Sequence, residues 1–453
     1  MITFPYGKAA FCILLIALIS GVYVSLHRAT QEPATLTLWT FADTHYKSYL
    51  KAMPAFEAKH PGVKVRVEQV TIQAVTTRLQ AAMQANLEVP DLVEVEITSA
   101  GTFFRGPLEH VGLLDLTERI KGSGSSKMYG VTLYDRMVQS RFAPYTSRGR
   151  IFGLPHDVHP VMLAYRRDIL EENGIKAEEI ETWDDFIKIG RRLTKPGQRY
   201  MIEMAESEVS NIEPLLFQRG GGYFDPQGKC IFDNEAGIET MLFYVPLVAG
   251  KDRIGSTLGA NQVLTKAVEE GYMIFLFCPD WRSSQFERDI PRMSGKMALM
   301  PLPAVKRGGS RTSTWGGTMM GITKKTKNPD LAWELAQHLY TDVKDLASRF
   351  QDTNILPCVR EAWKEPAFKE KRAFWSNQPL GQLFADLASQ VPSQYSSPYL
   401  NTAKAKFGEA LTSCVQYYNS KGSDGFEAYT RDRLKQSADQ VRRLIERNPY
   451  QGN

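Results

Sequence analysis

The 453-residue chain is 43% hydrophobic and 23% charged, an ordinary globular profile with enough length for two or more cores. Its formal charge of +5 falls to +3 once residues 1–29, with Lys8 and Arg28, are set aside. The other basic residues are spread along the chain, so composition gives no support to a nucleic-acid partner.

The chain opens with an apolar run, Ala9 to Leu26, flanked by Lys8 and Arg28. Its length suits a long signal h-region or a short membrane span. No Ala-x-Ala cleavage site closes it, and Cys12 precedes the apolar core, so the lipoprotein pattern is absent. Residues 1–34 are therefore expected to be an export signal or an uncleaved N-terminal anchor. After them strand and helix alternate. Leu36-Thr37-Leu38-Trp39 reads as a strand, His45 to His60 as an amphipathic helix ended by Pro61-Gly62, and Val63 to Val67 as a half-exposed strand of period two. Gln73 to Asn86 is helical and Asp91 to Ile97 is again a strand. Such alternation predicts βαβ units and a mostly parallel sheet.

A second unit begins near Pro155. Gly153-Leu154-Pro155-His156-Asp157-Val158-His159-Pro160 is polar and framed by prolines, and it leads into an apolar strand, Val161 to Tyr165. It reads as a crossing between two folded units, a common place for a ligand. Thr182 caps a helix with Asp184 and Asp185 in its first turn. Helices are expected over Asn234–Gly250 and Asn261–Gly271, a strand over Met273–Phe277, and a break at Pro279-Asp280-Trp281. Strands follow over Lys296–Pro301 and Thr318–Ile322, then an amphipathic helix over Pro329–Thr341 and mostly helix to the end. Cys230, Cys278, Cys358 and Cys414 form no CxxC pair, which weakens zinc and redox readings and leaves bridges and buried thiols both open.

Several segments together resemble the extracellular solute-binding proteins of family 1, the sugar-binding components of ABC importers. The carriers, in order, are Leu36-Thr37-Leu38-Trp39, Phe56 to Val65, Pro90 to Val95, Gly153-Leu154-Pro155, Leu163 to Leu170 and Glu181 to Phe186. Pro279-Asp280-Trp281, Trp315 to Ile322 and Ala332 to Ala336 follow. The resemblance implies an α/β, two-lobed periplasmic-binding-protein-like fold (type II), with discontinuous lobes and a ligand cleft between them. Lobe one would comprise 35–153 plus 280–326, and lobe two 154–279 plus 327–453. The His156-Asp157-Val158-His159 crossing is not a signature of that family.

A sugar offers hydroxyls above an apolar C–H face, so its site needs aromatic platforms plus carboxylates and amides. Trp39, at the carboxyl end of the first strand, and Asp43 in the following loop meet that need. Glu94 and Glu96 share a strand face. Glu96 could recognise a hydroxyl, the pair could act as acid and base on a glycosidic bond, or both could be edge-exposed. Phe103 lies just beyond. His156 and His159, three apart on extended backbone, should face opposite ways, which disfavours a shared metal. His156 and Asp157 remain ligand candidates at the crossing, with Asp157 as a hydroxyl acceptor. Trp281 with Arg282, Trp315 before Gly316-Gly317, and Tyr223 after Gly220-Gly221-Gly222 complete the set. That glycine run lacks the Lys-Ser/Thr of a phosphate loop, so no nucleotide is expected. The reading is a monomeric binder without cofactor or metal, at the outer face of the inner membrane or in the periplasm. It would deliver a carbohydrate to ABC transporter permease subunits. A sensory binding protein and a glycoside-cleaving enzyme are the rivals.

Overall fold

The computed structural model describes residues 7–26, 34–85, 87–122, 130–258 and 262–448. Gly7–Leu26 is a helix, and Ile13, Leu14, Ile16, Leu18 and Ile19 on it are exposed. Within it, side chains are described only for 10–22. No helix among the described residues is long and apolar enough to cross a membrane.

Two five-stranded sheets carry the rest. In the first the order is Val65–Gln69, Leu36–Thr40, Leu92–Glu96, Thr318–Ile322, Leu154–Pro155. The first three strands are parallel, as βαβ units demand, and register Leu38 against both Val67 and Leu92. Thr318–Ile322 returns antiparallel, as does its pairing with Leu154–Pro155. In the second sheet the order is Met297–Pro301, Val161–Arg166, Met273–Pro279, Tyr200–Glu203, Gly255–Ser256. Val161–Arg166 and Met273–Pro279 are buried along their whole length, which is why both read as unbroken apolar runs. Each sheet is mixed, not mostly parallel, because strands that enter from the other lobe pair antiparallel.

Two elements bear on the expected segments 280–326 and 327–453. Met297–Pro301, inside the expected lobe-one segment 280–326, is an edge strand of the second sheet. The chain does not cross back at Pro279-Asp280-Trp281: Pro279 ends a strand and Asp280 begins a helix at once, Asp280–Asp289. The return runs through 302–317 instead. Conversely Pro329–Thr341, expected in lobe two, packs on the first sheet, where Tyr340 donates to Glu94 and His338 meets the Ala52 carbonyl. The helices Leu400–Lys421 and Phe426–Glu446 do cover the second sheet's unit, burying Phe407, Leu411, Leu434 and Val441 with Trp183 and Phe232. Thr182 caps its helix in a reciprocal box with Asp185.

At the junction three chain segments lie side by side. Asp157 pairs with Pro357, and Pro160 with Thr314. A further segment, 391–399, has no regular structure and runs past lobe one. Gly101 makes room for it: a Cβ there would overlap the Ser397 carbonyl and stand 2.6 Å from Ser396 Oγ. Gly101→Ala should therefore push the segment outward and destabilise the fold by about 1–3 kcal/mol, the usual cost of overpacking. A urea titration that leaves the unfolding midpoint in place would show that the segment moves freely.

Candidate functional site

A cleft of about 1360 Å³ lies between the sheets. From lobe one come Phe41, Asp43 and His45, beyond the carboxyl end of Leu36–Thr40, and Glu96 to Thr98 at the end of Leu92–Glu96. From lobe two come Glu213, Phe217, Gly220 to Tyr223, Trp281 and Lys404. His159, Trp315 to Thr318 and the segment Pro392–Ser396 line it from the connecting chain.

Its aromatic corner is Trp281 against Trp315, ring centres 5.8 Å apart and nearly perpendicular at 77°. Trp281 stands at the start of the Asp280–Asp289 helix, where its backbone N–H donates to Asp280 Oδ1 at 2.7 Å. Its indole N–H donates to the Trp315 carbonyl at 3.0 Å. Both rings remain half-buried in the cleft wall, with the Arg282 guanidinium over Trp315. Gly316, at φ 91°, turns the chain beneath them; a Cβ there would come within 3.3 Å of the Trp281 indole nitrogen.

The charged groups in the wall already have protein partners. Glu213 takes Tyr223 Oη at 2.8 Å and Lys404 Nζ at 2.8 Å. Asp43 pairs with Lys47 at 2.7 Å. Glu96 caps the next helical turn, accepting Thr98 N–H at 2.8 Å and the Thr98 hydroxyl. Burial pushes its carboxyl up from the ordinary range, against those hydrogen bonds. Two buried acceptors in the connecting segment, Gln394 Oε1 and Ser396 Oγ, have no hydrogen-bond partner among the described residues.

Of the residues expected in the site, the cleft collects Asp43, Glu96, Tyr223, Trp281 and Trp315. Tyr223 is only 4% exposed, and its hydroxyl is held by Glu213. The others lie elsewhere. Trp39 sits on the sheet, its indole bonded to Glu68 at 3.0 Å under the Arg78 guanidinium. Phe103 is buried with Ile97, Phe104 and Val111. Arg282 is turned back to the Phe277 carbonyl and Glu203. His156 and Asp157 are buried in the junction, and Asp157 has no oxygen facing a ligand. The extended-strand expectation for His156 and His159 fails for a local reason: His159 takes φ 54°, so both rings converge on Asp157 Oδ2, each at 3.1 Å.

Sequence reading did not place His45, Glu213, Lys404 or the 392–396 segment in the site. The last carried a signal, a Pro- and Ser-rich stretch between helices. Glu94, the proposed partner of Glu96 in a catalytic pair, is fully buried. It accepts from the Thr40 and Tyr49 hydroxyls, from Tyr340 Oη at 2.7 Å and from His45 Nδ1 at 3.1 Å. Burial alone would raise its pKa, but His45, His156 and Thr40 outweigh that and bring it down to about 2. A carboxylate so held has no access to a glycosidic oxygen. Among the described residues no group of three or more His, Cys, Asp or Glu side chains could hold a metal.

A lined cleft between two mixed sheets, with a double crossing beneath it, is the geometry of a two-lobed binding protein. The family model for bacterial extracellular solute-binding proteins matches residues 42–344. The chain belongs to this family. Among relatives of this solute-binding protein, an arabinooligosaccharide-binding protein of Bacillus subtilis (strain 168) is 24% identical over 408 residues, covering 89% of this chain and 92% of its own. A lactose-binding protein of Rhizobium radiobacter is 24% identical over 79% of this chain and 83% of its own. The solved structure of the sugar-binding protein MalE from Xanthomonas citri superposes with a TM-score of 0.74 at 19% identity, over 91% of this chain and 99% of that one. That likeness shows the two-lobed fold.

The junction gives the solute-binding protein a defined acid sensitivity. Burial, with His45 beside it, brings His156 down to about 4 against the pull of Asp157 and Glu94. Unfolded histidine takes its proton near 6.5, so stability falls as pH drops from about 6.5 to 4. Glu94, near 2 when folded, contributes above the ordinary glutamate range and loses that contribution toward pH 2. Melting temperature should thus decline on acidification, and His156→Gln should flatten the part between pH 6.5 and 4. An unaltered slope in a folded variant would assign the effect to other groups.

Proposed function

We propose that the cleft binds a neutral oligosaccharide and that the protein, which is not an enzyme, delivers it to an ABC-type permease in the membrane. The observation that carries the reading is the Trp281–Trp315 corner set in a wall whose charged groups already have ionic or hydrogen-bond partners. Two indoles in the cleft wall suit the C–H face of a pyranose or furanose ring. Among the described residues of the wall, Asp43, Glu213 and Lys404 are ion-paired, and Glu96 and Asp225 accept backbone N–H groups. The volume, about 1360 Å³, exceeds the roughly 300–1,000 Å³ typical of small-ligand pockets, which favours several sugar units over one. Relatives named for arabinooligosaccharides and lactose point the same way. The lobes we assign are the unit of the first sheet with Pro329–Thr341, and the unit of the second sheet with 400–446.

A thermal-shift screen should find arabino-, galacto- or malto-oligosaccharides that raise the melting temperature while arabinose, galactose and glucose do so weakly. A response to charged solutes alone would sink the reading. In the folded protein Trp281→Ala should weaken the best oligosaccharide by about 1–3 kcal/mol, within the span of hot-spot truncations. Equal affinity by calorimetry would take Trp281 out of the contact.

Gly7–Leu26 we assign as a retained anchor. The exposed side chains described within 10–22 are almost all apolar, a surface suited to lodging in a bilayer. A tether would raise the effective concentration of binder at its permease. N-terminal sequencing of protein made in an exporting bacterium should return residues ahead of Ala9 from the membrane fraction. A soluble chain beginning after Leu26 would establish cleavage.

A further inference from the structure

We propose that His159 is a positioning residue of the cleft: clamped as an imidazolium between Asp157 and Asp280, it holds the Trp281–Trp315 corner in place, and loss of its proton releases that corner. The proposal rests on the oligosaccharide reading for what the corner does, but its test requires no sugar to bind.

The geometry is direct. His159 Nε2 lies 3.1 Å from Asp157 Oδ2, and Nδ1 lies 2.5 Å from Asp280 Oδ1. Both ring nitrogens therefore face carboxylate oxygens. A neutral imidazole has one N–H and would turn a lone pair toward one of them; only the imidazolium donates to both. The oxygen that takes His159 Nδ1 also takes the Trp281 backbone N–H, at 2.7 Å. Asp280 Oδ2 takes the Leu356 N–H, also at 2.7 Å. Asp280 is thus the shared anchor of the tryptophan and the histidine, and the Trp281 indole in turn bonds the Trp315 carbonyl. On its other side His159 packs under Gly316, where a Cβ would stand 3.4 Å from His159 Cδ2. His159 itself lines the cleft.

The surrounding charges support one proton on this ring. Arg141, from the Gln139–Tyr145 turn, reaches Asp157 Oδ1 at 3.4 Å and its carbonyl at 3.0 Å. Arg141 and His159 then balance Asp157 and Asp280. His156, on the same segment, is held neutral down to about 4. Burial pushes Tyr145, Cys278 and Cys358 up, so they stay neutral as well. Burial opposes a charge on His159, but Asp157 and then Asp280 override it and move its pKa up to about 9. A group raised in this way stabilises below the ordinary histidine range, and its contribution is lost as pH climbs through about 9.

Nitrogen-15 spectra of histidine side chains read the ring directly. At pH 8, where ordinary histidines are neutral, one ring should carry protons on both nitrogens, and His159→Gln should remove that signal. The corner is read by tryptophan fluorescence, taken as the difference between the wild type and Trp281→Phe from pH 7 to 10. It should change with a midpoint near 9, the value the clamp sets for His159. Asp280→Asn should move the midpoint down, and far-ultraviolet circular dichroism should stay constant throughout. If His159→Gln does not fold, the wild-type titration still decides. A neutral ring at pH 8, a flat corner signal while the ring loses its proton, or loss of circular dichroism with the same midpoint would each overturn the proposal. Where arabinotriose binds at pH 7, its affinity should fall about tenfold or more at pH 10, the scale of a charge-assisted hydrogen bond. Should no oligosaccharide bind at all, the carbohydrate reading fails and the spectroscopic result stands on its own.

Discussion

Much of the molecule turns on one carboxylate buried where the chain passes between its sheets. Asp157 is 1% exposed, and an isolated charge at that depth would be prohibitive. It is tolerated because donors from three parts of the chain converge on it: Arg141 from before the crossing, His156 and His159 from the crossing itself, and Thr318 N–H from the return. Against the effect of burial, His159 and then His156 hold its carboxyl well below the usual range. Remove one partner and the remaining charges are stranded, which costs far more than an exposed pair would. The ties also set which segments can move relative to one another, since a crossing fastened to its neighbours bends only where those bonds allow.

Glu94 plays the same part for lobe one. A single side chain there ties Thr40 of the first strand, His45 and Tyr49 of the next helix and Tyr340 of a helix about 250 residues downstream. The two networks meet where the His45 and His156 rings stand 4.3 Å apart. The floor of the cleft is therefore polar and charged and tied together by these bonds, whereas its walls carry the Trp281 and Trp315 indoles. That contrast separates groups that hold the site from groups that can meet a solute.

How legible this was in the residues follows from what each signal measures. Period and turn residues locate Leu36–Thr40, Val65–Gln69, Val161–Arg166 and the Thr182-capped helix, because those patterns are local. Trp281 and Trp315 stand beside prolines and glycines that force the chain to turn, which is also a local signal. Trp39 and Phe103 were not separable from cleft aromatics by sequence, since a ring at a strand end reads alike whether it faces the gap or the helix behind it. Asp157 looked like a free acceptor because its partners stand at residues 141, 156, 159 and 318, and only the fold brings them together. Met297–Pro301 pairs with Val161–Arg166, a choice made by long-range register that local propensity does not encode.

The cysteines carry a consequence of a different kind. Cys230, Cys278, Cys358 and Cys414 are buried and unbridged. Cys358 hydrogen-bonds the Asp157 carbonyl at 3.0 Å, and Cys278 adjoins Asp280 through Pro279, so two thiols sit inside the junction. Nothing in the fold waits on an oxidant, and a thiolate is disfavoured at both positions. A bulky alkylating reagent can reach these sulfurs only when the crossing segments part. Their rate of modification is in effect a built-in clock for how often the junction opens.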